Sequence, residues 1–272
     1  MQPISQQEAH SPLTVFLVLV AALGIIGAWT IYTQPGVLGK ADAVGYAICH
    51  RIPERTFEAF GRELPLCARC TGIYLGVMTG LGVFVASGRA RAARLPGWRV
   101  GLVLASFVAV LGLDGLNSYF SLFPGYTGPY ETQNWMRVTT GIFTGLTLIN
   151  LVFPIFNQSV WADGGQPIRA VANLKELGGL MVLAVLVLLL VFSQNATLLL
   201  FFGVISAVGV VSVLTMVFTV MVIALLNRYQ AYSTWRGLAV PLLAGLTLAI
   251  TMIGIIDYLR FMFTGTWDGF SF

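Results

Sequence analysis

The uncharged runs of this chain fix its class before any motif is read. Nothing charged lies between Glu8 and Lys40, between Arg137 and Asp163, between Glu176 and Arg228, or between Arg236 and Asp257. A helix needs about 20 apolar residues to cross the hydrocarbon of a bilayer. These runs reach or exceed that length, and they lack the period-two alternation of a membrane barrel. Charged residues make up 10% of the 272, against about 25% in soluble domains. A chain so poor in charge cannot cover a globule with wetted surface. The expected fold is all-α, a polytopic transmembrane helix bundle.

The run from Glu176 to Arg228 is too long for one crossing, and Ser193-Gln194-Asn195 marks a polar turn inside it. Splitting there gives seven expected spans, at 13–33, 71–87, 99–118, 135–156, 177–192, 197–226 and 238–263. A six-span arrangement with the fifth segment re-entrant is the alternative. The flank 1–11 holds no Lys or Arg, and the apolar run after it exceeds a usual signal core, so the first span is read as a retained helix. The chain divides into 1–43 (tail and first span), 44–156 (core membrane domain) and 157–272 (three-helix membrane segment).

Lys and Arg favour the cytoplasmic side of a membrane. Three alternate loops hold Arg89, Arg91, Arg94 and Arg99; Arg169 and Lys175; and Arg228 and Arg236. On the other side, Lys40, Arg51, Arg55 and Arg62 are balanced by Asp42, Glu54, Glu58 and Glu63. The bias predicts a plasma (inner) membrane protein with its N-terminus inside and its C-terminus outside. The net charge of +4 then reflects topology and contact with the lipid bilayer, not nucleic acid.

All three cysteines and one of the two histidines fall in one short window, Cys49-His50 and then Cys67-Ala68-Arg69-Cys70. Thiolate and imidazole suit zinc, and Cys-x-x-Cys spacing lets one turn supply two ligands. Cys49, His50, Cys67 and Cys70 are therefore the candidate metal set. A Cys67–Cys70 disulfide is the rival chemistry on an oxidising face, and plain packing of small side chains is the third reading. His10 lies in the N-terminal tail and is read as solvated.

Charged groups inside a bilayer are costly and usually paired or functional. Here they are Asp114, Arg137, Asp257 and Arg260, joined by Asn117, Glu131 and Asn134. The predicted helix directions bring all of them to the leaflet of Cys67 and Cys70. Asp114, Glu131 and Arg137 are the candidate catalytic groups, and Asn117, Asn134, Arg137 and Asp257 the candidate substrate-binding groups. An Asp114–Arg137 ion pair locking two helices is the plainer alternative. Asp257 and Arg260 can also snorkel to the interface. The cytoplasmic halves look bland, with scattered hydroxyls such as Thr144, Thr147 and Thr215. Gly72, Gly76 and Gly80 on the second span, with Gly141 and Gly145 on the fourth, predict close helix packing.

Cys49-His50-Arg51-x-Pro53-Glu54-Arg55-Thr56-Phe57 followed by Leu64-Pro65-Leu66-Cys67-Ala68-Arg69-Cys70-Thr71-Gly72-Ile73-Tyr74-x-Gly76 resembles the signature of a prokaryotic membrane-protein family, domain of unknown function family 2085. That family also carries an Asp late in the next-but-one helix and a Glu-(Ser/Thr)-x-Asn-x-x-Arg-x-x-Thr-Gly segment. Here these are Asp114 and the segment from Glu131 through Asn134 and Arg137 to Gly141. The resemblance spans roughly 44–150. It implies that Cys49, His50, Cys67, Cys70, Asp114, Asn134 and Arg137 act as one unit, and it brings no activity with it.

Four functions fit these features. The first is a metal site, zinc by its donors, in an extracytoplasmic polar pocket that takes an anionic or lipid-linked ligand. The others are an ion or solute transporter, a membrane thiol-disulfide oxidoreductase, and a non-catalytic subunit docking to other subunits of a membrane complex. The predicted orientation has a direct test. A membrane-impermeant thiol reagent should label Cys49 or Cys67 in intact cells, and labelling only after permeabilisation, with no metal or disulfide masking the thiols, would reverse the topology.

Overall fold

The computed structural model describes residues 11–268, so His10 lies outside the described residues. Among these, seven helices are long and apolar enough to cross a membrane. They are α1 (Pro12–Tyr32), α3 (Ala68–Ala86), α4 (Trp98–Phe120), α5 (Asn134–Val160), α6 (Leu174–Phe192), α7 (Ala196–Leu225) and α8 (Trp235–Thr264). Each expected span is present within a few residues. The fifth, α6, is long enough to cross, so the re-entrant alternative is not needed. The caps explain two of the starts. Asn173 accepts the N–H groups of Lys175 and Glu176 at the head of α6, and Asn195 accepts those of Thr197 and Leu198 at the head of α7.

An eighth helix, α2 (Gly36–Ile48), is not among the expected elements. It carries Lys40 and Asp42, which interrupt the apolar run. It is held by burial of small residues, Gly39, Ala41, Ala43 and Gly45, beside Val44 and Tyr46. After it come a 3-10 turn (Pro53–Arg55) and a two-stranded hairpin of β1 (Glu58–Ala59) with β2 (Arg62–Glu63). The hairpin turns through Phe60 and Gly61, both at positive φ, the geometry that matches strand twist.

The bundle is built around α3 and α5. A Cβ on Gly72 would strike the Val138 carbonyl, and one on Gly76 the Ile142 carbonyl. From the other side, a Cβ on Gly141 would strike the Arg69 carbonyl, and one on Gly145 the Ile73 carbonyl. The two backbones meet with nothing between them, as the spacing of the glycines predicted. The other helices are laid against this pair: α4 on α5, α7 on α3, α8 on α7, and α1 at the edge on α8. Thr144 and Thr147 of α5 donate to the Phe107 and Leu104 carbonyls of α4 at 3.3 and 3.0 Å, which fixes that neighbour's height.

The end of the bundle opposite the cysteines is not bland. Strands β3 (Ala92–Arg94) and β4 (Gln166–Arg169) pair in parallel across two loops. Asn157, fully buried, donates to the Ala92 carbonyl at 2.9 Å and accepts from the Trp161 indole at 2.9 Å. Arg91 stacks on the Trp161 ring at 3.8 Å, and Arg89 grips Glu176 with both terminal nitrogens. This knot ties the basic loops together.

Replacing Gly145 by Leu should separate α3 from α5, because the new side chain meets backbone that cannot rotate away. Overpacking of this kind costs about 1–3 kcal/mol or more. Gly82→Ala in α3, where a Cβ meets nothing within 4 Å, should be neutral or slightly stabilising. Thermal unfolding in detergent of the two variants checks both expectations.

Candidate functional site

The cysteines are brought together by three close approaches. Gly45 of α2 lies against the Pro65 carbonyl, where a Cβ would not fit. Cys49 follows one turn later, its N–H bonded to the Gly45 carbonyl at 2.8 Å. Cys67 follows Pro65 by two residues and caps α3, with Cys70 in the first turn. Arg51 then reverses the chain in the left-handed region at φ 51, a conformation uncommon for a residue with a side chain.

The three sulfur atoms lie within 4.8 Å of one another. Cys49 and Cys67 are buried and Cys70 is half-buried, and all three are free thiols. Their apolar surroundings include Ala41, Val44, Leu66, Val210 and Ile253. The Cys67 N–H donates to Cys49 Sγ at 3.3 Å. The neighbouring Cys67 and Cys70 thiols, helped by backbone N–H groups of Arg51 and Cys67, hold the Cys49 thiol down to about 2. The same contact with Cys49 pushes Cys67 up to about 12. Cys49 is thus the most acidic thiol of the set, and the N-terminus of α3 faces it.

His50 stands apart from the three sulfurs. Its Nδ1 accepts the Ile52 N–H at 3.1 Å, so the neutral ring carries its proton on Nε2. Burial lowers its pKa below the ordinary value; Arg55, Arg69 and Arg137 act in the same direction against the charge of Cys49. In this arrangement His50 offers an N–H donor.

The Arg260 guanidinium, from the far end of α8, closes this region from the side. It donates to the Tyr46 and Cys49 carbonyls at 2.6 Å each and to the His50 carbonyl at 3.2 Å, and lies 4.1 Å from the Tyr46 ring. A cation is thereby placed on the open carbonyls at the end of α2. Arg260 does not snorkel to water; it positions Cys49.

The second part of the site is electrostatic. Asp114 is 3% exposed. It pairs with Arg69, the residue between Cys67 and Cys70, at 2.5 Å, and accepts the Tyr130 hydroxyl at 3.3 Å. The alternative of an Asp114–Arg137 pair is therefore not what forms; the pair is Asp114–Arg69. Arg137 is also buried, yet it donates only to Asn134 Oδ1 at 2.8 Å and Ser118 Oγ at 3.4 Å. Its Nε has no hydrogen-bond partner and no carboxylate pairs with it among the described residues.

Asn134 and Asn117 are brackets for the surrounding loops. Asn134 donates to the Glu54 and Thr56 carbonyls and ties the 3-10 turn to α5. Asn117 donates to the Tyr130 carbonyl at 2.9 Å and to Thr132, and accepts from Tyr126. Glu131 is exposed beside them. Asp257 is buried elsewhere, beside Trp29 between α1 and α8. Sequence reasoning missed Ser118 and Tyr130 as partners, and it missed Arg69 as the counter-ion. The position of Arg69 between Cys67 and Cys70, in the first turn of α3, was the available signal.

Residues 49–151 match a family described as "Predicted membrane protein (DUF2085)". An uncharacterized protein of Methanocaldococcus jannaschii is 30% identical over 120 residues, covering 44% of this chain and 70% of the relative. This chain belongs to that family. An uncharacterized protein of Methanothermobacter thermautotrophicus is 38% identical over 102 residues, covering 37% of this chain and 80% of the relative. No solved structure matches the chain. The family match takes in the three cysteines, the Arg69–Asp114 pair and Arg137, and ends before α6, α7 and α8.

Removing one partner of a buried ion pair leaves the other charge uncompensated, at a cost of about 3–5 kcal/mol. Asp114→Asn should destabilise the protein toward the lower end of that range, since Arg69 keeps 18% of its side-chain exposure. The double variant Arg69→Met, Asp114→Leu should recover most of the loss. A double-mutant cycle of unfolding in detergent checks this, and additive losses would refute the pairing.

Proposed function

We propose that this membrane protein carries a soft-metal centre at Cys49, Cys67 and Cys70, with zinc as the ion its donors fit. The observation that carries the reading is the convergence of three thiols from two chain segments within 4.8 Å. Tetrahedral zinc with bonds of about 2.3 Å to sulfur needs sulfurs about 3.8 Å apart. The spacing of the three sulfurs is compatible with that value. The N-terminus of α3 favours the thiolate form at Cys49, and a metal cation bound there would displace the remaining thiol protons. Three protein ligands leave a fourth position for water, a ligand group or the His50 ring after rotation.

On this reading the positive groups beside the metal hold an anionic ligand. Asp114 is neutralised by Arg69, which leaves Arg137 as the buried guanidinium with donors to spare. Arg55 adds to the same field, and the neutral His50 ring offers an N–H donor beside it. The positive-inside bias supports a site on the extracytoplasmic face of the plasma membrane, near headgroup depth. A lipid-linked or otherwise anionic ligand suits that position. The metal would supply Lewis acidity there; Arg137 would orient the anion, and Asp114 would hold Arg69 beside it.

The test is metal content. Protein purified without chelator should carry about one zinc per chain by mass spectrometry, and Cys67→Ser should carry less than a tenth of that at unchanged helical content. Loss of metal by chelation should expose three titratable thiols. Metal-free wild type with a mapped Cys67–Cys70 disulfide would instead establish the thiol-redox reading.

A further inference from the structure

Asp257 sits in a part of the molecule that the metal reading does not use. It lies on α8, 3% exposed, and neither of its carboxylate oxygens has a hydrogen-bond partner among the described residues. The residue beside it is Trp29 of α1, whose ring packs 3.7 Å from where a Cβ on Gly254 would stand, one turn before Asp257. The indole N–H is near enough to act on the carboxylate but outside hydrogen-bond geometry, and it too is buried without a partner. The neighbouring basic groups do not hydrogen-bond it: Arg260 acts on it only through space, and the Lys40 ammonium stands 5.8 Å from the centre of the Trp29 ring. Lys40 caps the end of α1 through the Thr30 and Thr33 carbonyls, and Arg260 grips the end of α2.

Asp257 and Trp29 line a cavity of about 550 Å³ between α1 and α8. Apart from Thr33 and Thr251 its other walls are apolar or aromatic, with Tyr32, Tyr258, Phe261 and Trp267 among them. Trp267 is itself anchored, with its ring 5.0 Å from Tyr46 and 5.5 Å from Phe261. α1 buries only Ala22 of its length, so the groove opens sideways toward lipid. An unpartnered carboxylate in such a place is costly. A cation that brings its own N–H donors would offset that cost, and aromatic faces attract cations further. The apolar remainder of the groove has room for an alkyl chain.

The geometry points to a binding site for an amphiphile with a primary ammonium head on an apolar tail, its ammonium on Asp257 and its tail along α1 and α8. A free long-chain amine and an aminophospholipid headgroup share this chemistry. This site is separate from the cysteine centre and stands or falls independently of it.

The test is native mass spectrometry of the full chain released from phosphatidylglycerol nanodiscs supplemented with dodecylamine, dodecanol or phosphatidylethanolamine. Wild type should retain dodecylamine or phosphatidylethanolamine at least tenfold over dodecanol or the phosphatidylglycerol background. Whichever is retained assigns the source. Asp257→Asn should lose that preference while keeping its thermal unfolding temperature or raising it. Equal retention of dodecanol and dodecylamine by wild type would overturn the proposal, whatever the variant does. So would a preference that survives in a folded Asp257→Asn protein.

Discussion

The backbone contact between α3 and α5 sets the geometry of everything at the cysteine end of this protein. Glycines on both helices let main chain touch main chain, so neither helix can slide or rotate without a clash. Lipid tails give no hydrophobic reason for helices to associate, and close packing must supply it. The seam runs up to Gly141 and the Arg69 carbonyl, immediately inside the cysteine turn. The height of Cys67, Arg69 and Cys70 relative to Asn134 and Arg137 is thereby fixed. α4 is tied to α5 by two threonine hydroxyls, and it delivers Asp114 to the same level. The polar groups at that level are held by a seam of residues that carry no polar side chain.

Charge at the cysteine end is unbalanced as a result. Arg55, Arg69 and Arg137 crowd one side of the bundle, where Asp114 is their one buried carboxylate among the described residues. Arg69, in the first turn of α3, takes it. Arg137 turns to neutral partners, Asn134 and Ser118. Neutral acceptors satisfy part of a guanidinium and leave its charge uncancelled. A buried cation so placed is where an anion would be held most firmly, since little water competes there.

Much of this was legible in the chain. Span number and limits follow from the length of uncharged runs, since hydrocarbon thickness is a fixed ruler. The α3–α5 seam follows from glycines four apart. Depth was legible too: helix direction alone sends Asp114, Asn134, Arg137 and Asp257 toward the level of Cys67. What a sequence of spans does not contain is azimuth. Asp257 shares the depth of the Arg137 cluster and lies on the other side of the bundle beside Trp29, because α7 and α3 stand between α8 and α5. The same ambiguity hid the choice of Arg69 over Arg137 as the partner of Asp114. Helix α2 was hidden for another reason. Its charges break the apolar run, and its stability comes from small residues fitting against neighbours rather than from any period of its own. At the opposite end, Asn157 and Trp161 read as ordinary interfacial residues until the fold puts Ala92 and Arg91 over them.

One turn of α8 serves both sides of the bundle. Asp257 faces the groove against α1, and Arg260, three residues later, reaches across to the carbonyls of Cys49 and His50. Residues three apart lie on neighbouring lines of a helix, so a single rigid turn divides its charges between the two regions. Arg260 is also what ends α2 cleanly. Without a cation on the Tyr46 and Cys49 carbonyls, the last turn of α2 would leave buried acceptors unsatisfied, and Cys49 would lose its fixed distance from Cys67. The cysteine set therefore depends on an arginine from a helix more than 200 residues away in sequence, outside the segment that the family match covers. The C-terminal helices are for that reason part of how the cysteines are positioned, and not simply an apolar extension of the core.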